Sequence, residues 1–179
     1  MIERGITSMS SRFKRFRSAR TILMALEYNI KQPAQGYIDG SYNAQTGVYG
    51  WGGFITFDGI EFIIQGSNNN PKYTKSRNIA GEIEGATNII KFAMDCGIKN
   101  LELYYDYEGI AKWFDGTYVA KKPISKDYKA FADSIKGKIK VTFHKVTAHT
   151  GVQGNERADK LAKQAVGILT DNNGVVGQQ

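Results

Sequence analysis

Four acidic residues stand where a soluble fold gains little from a negative charge: Asp39, Glu82, Asp106 and Asp159. The sequence places them on four separate predicted elements, far apart along the chain. Carboxylate oxygens are the ligands that hard cations such as Mg²⁺ prefer. If the four side chains meet, they form a site for paired divalent metal ions.

Asp39 lies in the middle of a predicted strand, where Asp has a poor β propensity and the following Gly40 allows something to approach the backbone. The alternative is an Asx turn that ends the strand early. Glu82 shares one face of a predicted helix with Ala86, Ile89 and Ala93. A lone ionised carboxylate on an apolar face is costly unless a cation or a donor compensates it. The alternative is that Glu82 flanks the apolar stripe and reaches water.

Asp106 ends a predicted strand, the position where α/β sheets place ligands, although strands also end in Asp for turn chemistry. Asp159 is predicted in the first turn of the last helix, after Asn155 as N-cap, where it could simply stabilise the helix N-terminus. His149 precedes it in a Gly-containing loop and can carry a proton if a reactive group lies nearby. His144, within a predicted strand, is interpreted as structural.

The combination of the four carboxylates is more informative than any of them alone. Two Mg²⁺ ions about 4 Å apart can activate water on one side of a phosphodiester and stabilise the leaving oxygen on the other. That reaction requires no organic cofactor and no covalent intermediate. The sequence therefore favours a metal-dependent phosphodiester hydrolase.

The elements that must position these residues follow from hydrophobic periodicity and turn signals. Asp58-Gly59 predicts a tight hairpin turn, and Gly97 predicts the end of the best-supported helix. The fold class is α/β, a mixed sheet layered with helices. Strands are predicted over residues 37–42, 49–57, 60–65, 101–106 and 139–146, and helices over 79–94, 108–114, 125–135 and 155–165, with a polar loop over 67–77.

Composition limits the class of protein. The chain of 179 residues suits one domain with a short appendage, and its single cysteine, Cys96, cannot form an internal disulfide. No apolar run is long enough to span a membrane or to act as a secretory signal, which predicts a cytoplasmic protein without a membrane partner. Residues 1–35 carry a net charge of +5 and residues 36–179 a net charge of +2. Without the four carboxylates, which bound metal ions would neutralise, residues 36–179 carry +6, which favours a polyanionic partner such as nucleic acid. The alternative is that the scattered lysines form a solvated face.

Three segments are predicted. Residues 1–35 form a basic N-terminal appendage, with a short strand and a helix over 10–27 and a linker over 29–35. Residues 36–168 form the folded body. Residues 169–179 form a flexible Gly/Asn-rich tail.

With these elements in order, residues 36–166 resemble type 1 ribonuclease H. The resemblance rests on four runs: Tyr37-Ile-Asp-Gly-Ser-Tyr-Asn, Asn78-Ile-Ala-Gly-Glu-Ile-Glu-Gly-Ala, Leu103-Tyr-Tyr-Asp-Tyr-Glu-Gly-Ile, and Val146-Thr-Ala-His-Thr-Gly-Val-Gln-Gly-Asn-Glu-Arg-Ala-Asp-Lys-Leu-Ala. It implies a ribonuclease H-like fold with a five-stranded mixed sheet, in which three antiparallel strands come first and two parallel strands are added. The body would then be the catalytic domain.

The resemblance also implies an activity: endonucleolytic hydrolysis of the RNA strand of RNA/DNA hybrids without sequence preference, leaving 5′-phosphate and 3′-hydroxyl ends. Two Mg²⁺ ions, or Mn²⁺ as a substitute, would act in a monomer that needs no protein partner. The implied site residues are the metal ligands Asp39, Glu82, Asp106 and Asp159, the proton carrier His149, and the contacts to the RNA 2′-hydroxyl Gly40, Ser41 and Asn78.

Two segments depart from the family pattern. Residues 113–128 are shorter than the basic protrusion with which many relatives grip the hybrid, and their lysines could be an ordinary solvated face. Residues 10–27 resemble the second half of a small hybrid-binding domain, whose first half is missing, so they are interpreted as a remnant. Two other functions stay open: a noncatalytic nucleic-acid-binding module on the same fold, and a related nuclease that acts on DNA.

Overall fold

A computed structural model of the chain describes residues 33–147 and 153–168. The predicted strand and helix of the N-terminal appendage and the predicted flexible tail lie outside the described residues. The described part forms a five-stranded sheet in the order β3-β2-β1-β4-β5. Its strands are β1 (Ala34–Asn43), β2 (Val48–Phe57), β3 (Ile60–Asn68), β4 (Asn100–Tyr105) and β5 (Lys140–Lys145).

The pairing of the strands confirms the predicted fold class. β1, β2 and β3 form an antiparallel meander, and β4 and β5 are then added in parallel to β1. The hairpin between β2 and β3 turns at Asp58 and Gly59, both with positive φ angles of 52° and 70°. This conformation is the one that an Asp-Gly dipeptide favours in a two-residue hairpin turn.

In residues 33–147 and 153–168, four α-helices accompany the sheet, and a short 3₁₀ turn precedes the first of them. Helix α1 ends where Gly97 adopts a φ of 76°, as predicted. The N–H of Ile98 then bonds to the carbonyl of Ala93, which closes the helix in a Schellman arrangement. The helices are α1 (Asn78–Asp95), α2 (Gly109–Asp115), α3 (Pro123–Ser134) and α4 (Gln153–Ala165).

Several of the predicted boundaries were wrong, including those of the linker, β3 and the last helix. The linker assigned to residues 29–35 ends earlier, because Gln35 already pairs with Thr56 of β2 and Glu102 of β4. β3 continues to Asn68, inside the predicted polar loop, because β2 offers partners along its full length. The last helix already includes Gln153, two residues before its predicted start.

Helices α1 and α4 cover opposite faces of the sheet. Side chains alternate along β1, so that Ile38 packs near Gly85 of α1 while the ring of Tyr37 lies against Gly154 of α4. The core fills the α1 side with aliphatic residues, among them Ile83 and Ile90. Within the described ranges, no helix combines the length and the apolar character that a membrane span requires.

Candidate active site

Helix α4 can lie directly on the sheet because β2 offers glycine where the helix crosses it. A Cβ at Gly52 would overlap the backbone nitrogen of Ala162, and a Cβ at Gly50 would press against Val166. Gly52 is also the β2 partner of Asp39. The close contact therefore places α4, and Asp159 on it, beside the strand that carries Asp39.

A second glycine contact brings Glu82 to the same place from the opposite face. A Cβ at Gly40 would overlap the carbonyl oxygen of Asn78 and the backbone nitrogen of Glu82. This confirms the expectation that Gly40 permits a close approach to the backbone, and the approaching element is α1. The N-terminal half of α1 is thus fixed against the strand that carries Asp39.

Glu82 is buried, with only 3% of its surface exposed, so the alternative in which it reaches water is wrong. The backbone N–H of Tyr107 donates a hydrogen bond to Glu82 Oε1 over 3.1 Å. Burial raises the pKa of Glu82 well above its ordinary value, and repulsion from Asp106 and Asp39 adds to this. A proton or a metal ion would relieve the strain of this buried charge.

Asp39 lies in mid-strand, as predicted, and an Asx turn does not end β1 there. The N–H of Gly40 donates a 2.6 Å hydrogen bond to Asp39 Oδ1. Burial, with repulsion from Asp106 and Asp159, raises the pKa of Asp39 to about 7, while the Gly40 bond and Lys163 partly oppose the rise. The carboxylates are thus close enough to resist simultaneous ionisation.

Asp106 and Asp159 complete the group. Asp106 follows directly after β4, at the carboxyl edge of the sheet, as predicted. Asp159 is half-buried and lies beyond the first turn of α4, because the helix already includes Gln153 and Gly154. The predicted N-cap Asn155 lies inside the helix and is 5% exposed, so its capping role was wrong. Asp159 therefore does not serve the helix N-terminus.

Three of the four carboxylates border a cleft of about 420 Å³, and buried Glu82 lies beside it. The predicted substrate contacts Gly40, Ser41 and Asn78 also line this cleft. Two cations that the sequence analysis missed lie there as well, Arg77 and Lys163. The helical spacing of four residues between Asp159 and Lys163 could have indicated the second, whereas no local signal predicts that Arg77 adopts a positive φ of 51°.

The donor set fits divalent metal ions. The carboxylates supply hard oxygen ligands, and their mutual repulsion is the kind that a bound cation relieves. Each of three carboxylates has a donor from the protein: the Gly40 N–H on Asp39, the Tyr107 N–H on Glu82, and Lys163 on Asp159. In the described ranges, no three acidic, His or Cys side chains converge closely enough to enclose one ion. Metal binding would therefore require side-chain rotation.

The chain has two histidines, His144 and His149. His149 lies outside the described residues. His144 lies in β5, where its ring stacks on Tyr104 at 4.7 Å between ring centroids. Its Nε2 lies 3.8 Å from Glu102 Oε1, and neither residue borders the carboxylate cleft. This placement agrees with the structural interpretation of His144.

The shortened segment over residues 113–128 borders a second cavity of about 520 Å³. Its lining includes Trp113, Tyr118, Lys121 and Lys122. Both lysines are exposed, and Val119 between Tyr118 and Lys121 is 76% exposed. The segment gives this cavity both an aromatic and a basic lining.

Comparisons with known proteins agree on one family. A family model for RNase H matches residues 31–167. Ribonuclease H of Francisella philomiragia is 29% identical over 141 residues, covering 75% of this chain and 91% of that protein. Ribonuclease H of Francisella tularensis subsp. novicida is 29% identical over 140 residues, covering 74% and 90%.

Solved structures share the fold. RNase H1 from the halophilic archaeon Halobacterium salinarum superposes with a TM-score of 0.62 at 21% identity, covering 76% of this chain and 98% of that one. LC11-RNase H1, isolated from compost and solved in complex with an RNA/DNA hybrid, gives 0.57 at 22% identity, covering 75% and 96%. The family model matches most of the chain, and the matched region contains the sheet and the four carboxylates. The chain therefore belongs to the RNase H family.

Proposed function

We propose that the chain hydrolyses the RNA strand of RNA/DNA hybrids with two Mg²⁺ ions held by Asp39, Glu82, Asp106 and Asp159, and that Mn²⁺ can substitute. The observation that carries the proposal is the crowding of four carboxylates from four elements at one strand end, where the pKa of Asp39 rises to about 7. The RNase H family depends in general on divalent metal ions.

Asp39 and Glu82 occupy different positions in the proposed site. Asp39 lies between the other carboxylates. Its charge raises the pKa of Glu82, and the charges of Asp106 and Asp159 raise the pKa of Asp39 itself. Asp39 would therefore hold the ions together with each of these neighbours. When bound, the ions would supply an activated water and charge stabilisation at the leaving oxygen. Glu82 approaches from beneath the cleft, and its hydrogen bond from Tyr107 fixes it to the end of β4.

Substrate selection is assigned to the cleft walls. Gly40, Ser41 and Asn78 line the cleft beside the carboxylates, where hydrogen-bonding groups can contact a 2′-hydroxyl across the shallow minor groove of a hybrid. Arg77 adds a positive charge on the same wall and suits a phosphate of the backbone. His149 is assigned the role of proton carrier on the basis of its place in the final motif.

The proposal also divides the chain into a catalytic body and a basic N-terminal appendage. Residues 36–168 would suffice for catalysis as a monomer, and residues 1–35 would add positive charge that strengthens binding to polyanions. Truncation to residues 33–168, which keeps the whole of β1, should then weaken hybrid binding at low salt while leaving the turnover of bound hybrid unchanged. A loss of turnover after truncation would contradict this division.

A gel assay tests the function directly. Labelled RNA/DNA, RNA/RNA and DNA/DNA duplexes are incubated with the full chain, with and without Mg²⁺. We expect cleavage of the RNA strand of the hybrid alone, only with metal, and products that carry 5′-phosphates. Asp39→Asn should abolish cleavage, whereas the control Asp95→Asn, an exposed residue at the end of α1, should retain it.

The same assay separates the alternatives. Hybrid binding without turnover at any concentration of Mg²⁺ or Mn²⁺ would indicate a noncatalytic binding module, and cleavage of DNA/DNA would indicate a DNA-directed nuclease. A cleaving Asp39→Asn variant would refute the assignment of the site.

A further inference from the structure

The ion pair between Lys163 and Asp159 lies at the candidate metal site. Lys163 Nζ is 2.7 Å from Asp159 Oδ2, one helical turn along α4. The side chains are 30% and 22% exposed. Both residues line the cleft that Asp39 and Asp106 also border. The ammonium group of Lys163 thus already contacts one carboxylate oxygen of the four-carboxylate cluster.

Ion pairs of the same spacing elsewhere on the molecule have a different setting. Lys129 and Asp133 on α3 also pair at i and i+4, but the Asp133 side chain is 61% exposed. Such exposed pairs contribute little to stability because water already solvates both charges. Asp159 has less access to water and has other carboxylates nearby, so the charge of Lys163 matters more there.

We propose that Lys163 is a built-in competitor of the divalent ion: its ammonium group neutralises the carboxylate cluster without metal, and it must leave Asp159 Oδ2 before that oxygen can ligate an ion. This inference rests on the proposed function of the cluster as a metal site. Lys163 is then a positioning residue that sets the metal affinity of the enzyme.

The first test measures metal affinity without using activity. Mg²⁺ is titrated calorimetrically into the full chain, into Lys163→Met, and into the control Lys160→Met, which removes the same charge from an exposed position on the same helix. Loss of a competing ion pair should tighten Mg²⁺ binding roughly three- to tenfold in Lys163→Met. Lys160→Met should stay within about twofold of the natural chain, since a solvated charge is screened.

Thermal unfolding provides a second readout that a merely structural ion pair would not produce. In EDTA, Lys163→Met should melt below the natural chain, because the cluster has lost its neutralising charge. In saturating Mg²⁺ the difference should vanish or reverse, because the ion replaces the ammonium group. An ion pair that only stabilises the helix would lower the melting temperature equally in both conditions.

A double-mutant comparison tests the site of competition. In an Asp159→Asn background, Lys163→Met should no longer tighten Mg²⁺ binding, because the oxygen for which the two cations compete is gone. The proposal is overturned if Lys163→Met binds Mg²⁺ no more tightly than the natural chain, or if Lys160→Met tightens binding as much.

Failure of this inference and failure of the proposed function give different results. A chain that cleaves hybrids while Lys163→Met leaves the affinity unchanged refutes the competitor alone. Tighter Mg²⁺ binding by Lys163→Met in a chain that cleaves no hybrid refutes the nuclease assignment alone. If neither the natural chain nor Lys163→Met binds Mg²⁺, both proposals are wrong.

Discussion

Replacing Asp39 with Asn should stabilise the metal-free protein at alkaline pH. The pKa of Asp39 is raised from 3.8 to about 7, chiefly by burial. Each pKa unit corresponds to about 1.36 kcal/mol, so the shift of roughly three units has an upper limit of about 4 kcal/mol. Because the side chain is only half-buried, solvent screening reduces this, and we expect a gain of about 2 kcal/mol.

The sign of the pH dependence follows from the direction of the shift. Folded Asp39 holds its proton more tightly than unfolded Asp39, so its ionisation penalises the folded state. The penalty is absent below about pH 4, grows as the pH rises, and is complete above about pH 7. Asn carries no charge at any pH. The free energy of unfolding of Asp39→Asn should therefore exceed that of the natural chain by an amount that grows between about pH 4 and about pH 7.

Urea unfolding in EDTA, near pH 4 and near pH 8, measures the effect. Asp95→Asn, exposed at the end of α1, serves as the matched control and should show no such gain. An Asp39→Asn variant with the same stability increment at both pH values, or with none, would refute the argument that Asp39 is destabilised by its neighbours. Adding Mg²⁺ near pH 8 should shrink the difference, because the ion stabilises only the ionised site.

Three other substitutions test the site and its supports. Glu82→Gln should reduce hybrid cleavage at least about a hundredfold, measured as kcat, because it removes a charged ligand. Gly52→Ala should destabilise the fold by about 1–3 kcal/mol in urea unfolding, since its Cβ would overlap the backbone of Ala162; an unchanged midpoint would contradict the close packing of α4. Glu61→Gln, which breaks an exposed ion pair with Arg157, should change stability by less than about 1 kcal/mol.

Most of the fold was predictable because its signals are local. Asp58-Gly59 determines the turn of the first hairpin through backbone conformations that few residues adopt, and Gly97 ends α1 for the same reason. The apolar stripe of α1 predicted the face of that helix that is buried. The meander of the first three strands was predicted from their turn signals, whereas the parallel addition of the last two strands was implied by the resemblance to ribonuclease H.

The misplaced start of α4 shows the limit of local signals. Asn155 is a strong N-cap residue by type, yet α4 already includes Gln153 and Gly154, so Asn155 lies inside the helix. Tertiary packing overrides its capping preference, because Gly154 lies against the ring of Tyr37 and Asn155 is buried beside the sheet. The same packing places Asp159 beyond the first turn, where its function becomes independent of the helix terminus.

The candidate site was predictable as a set of residues but not as an electrostatic system. The residue types and motifs identified the four carboxylates, whereas their mutual repulsion depends on distances that only the fold provides. Lys163 illustrates the difference. Its spacing from Asp159 predicts an ordinary helical ion pair, and only the shared cleft with Asp39 turns that pair into a competitor for metal.

The glycine contacts explain how the fold sustains a site that destabilises it. Like charges at one strand end oppose folding, and the elements that carry them would separate if they could. At Gly40 and Gly52 the absence of a Cβ lets α1 and α4 approach the sheet backbone closely, and the packing at both crossings opposes that separation. Larger residues there would relieve the repulsion by moving α1 or α4 away, and the same movement would remove the oxygen ligands from one another. Close packing is therefore the condition for metal affinity, and a bound cation should return to the folded state part of the stability that the carboxylates remove.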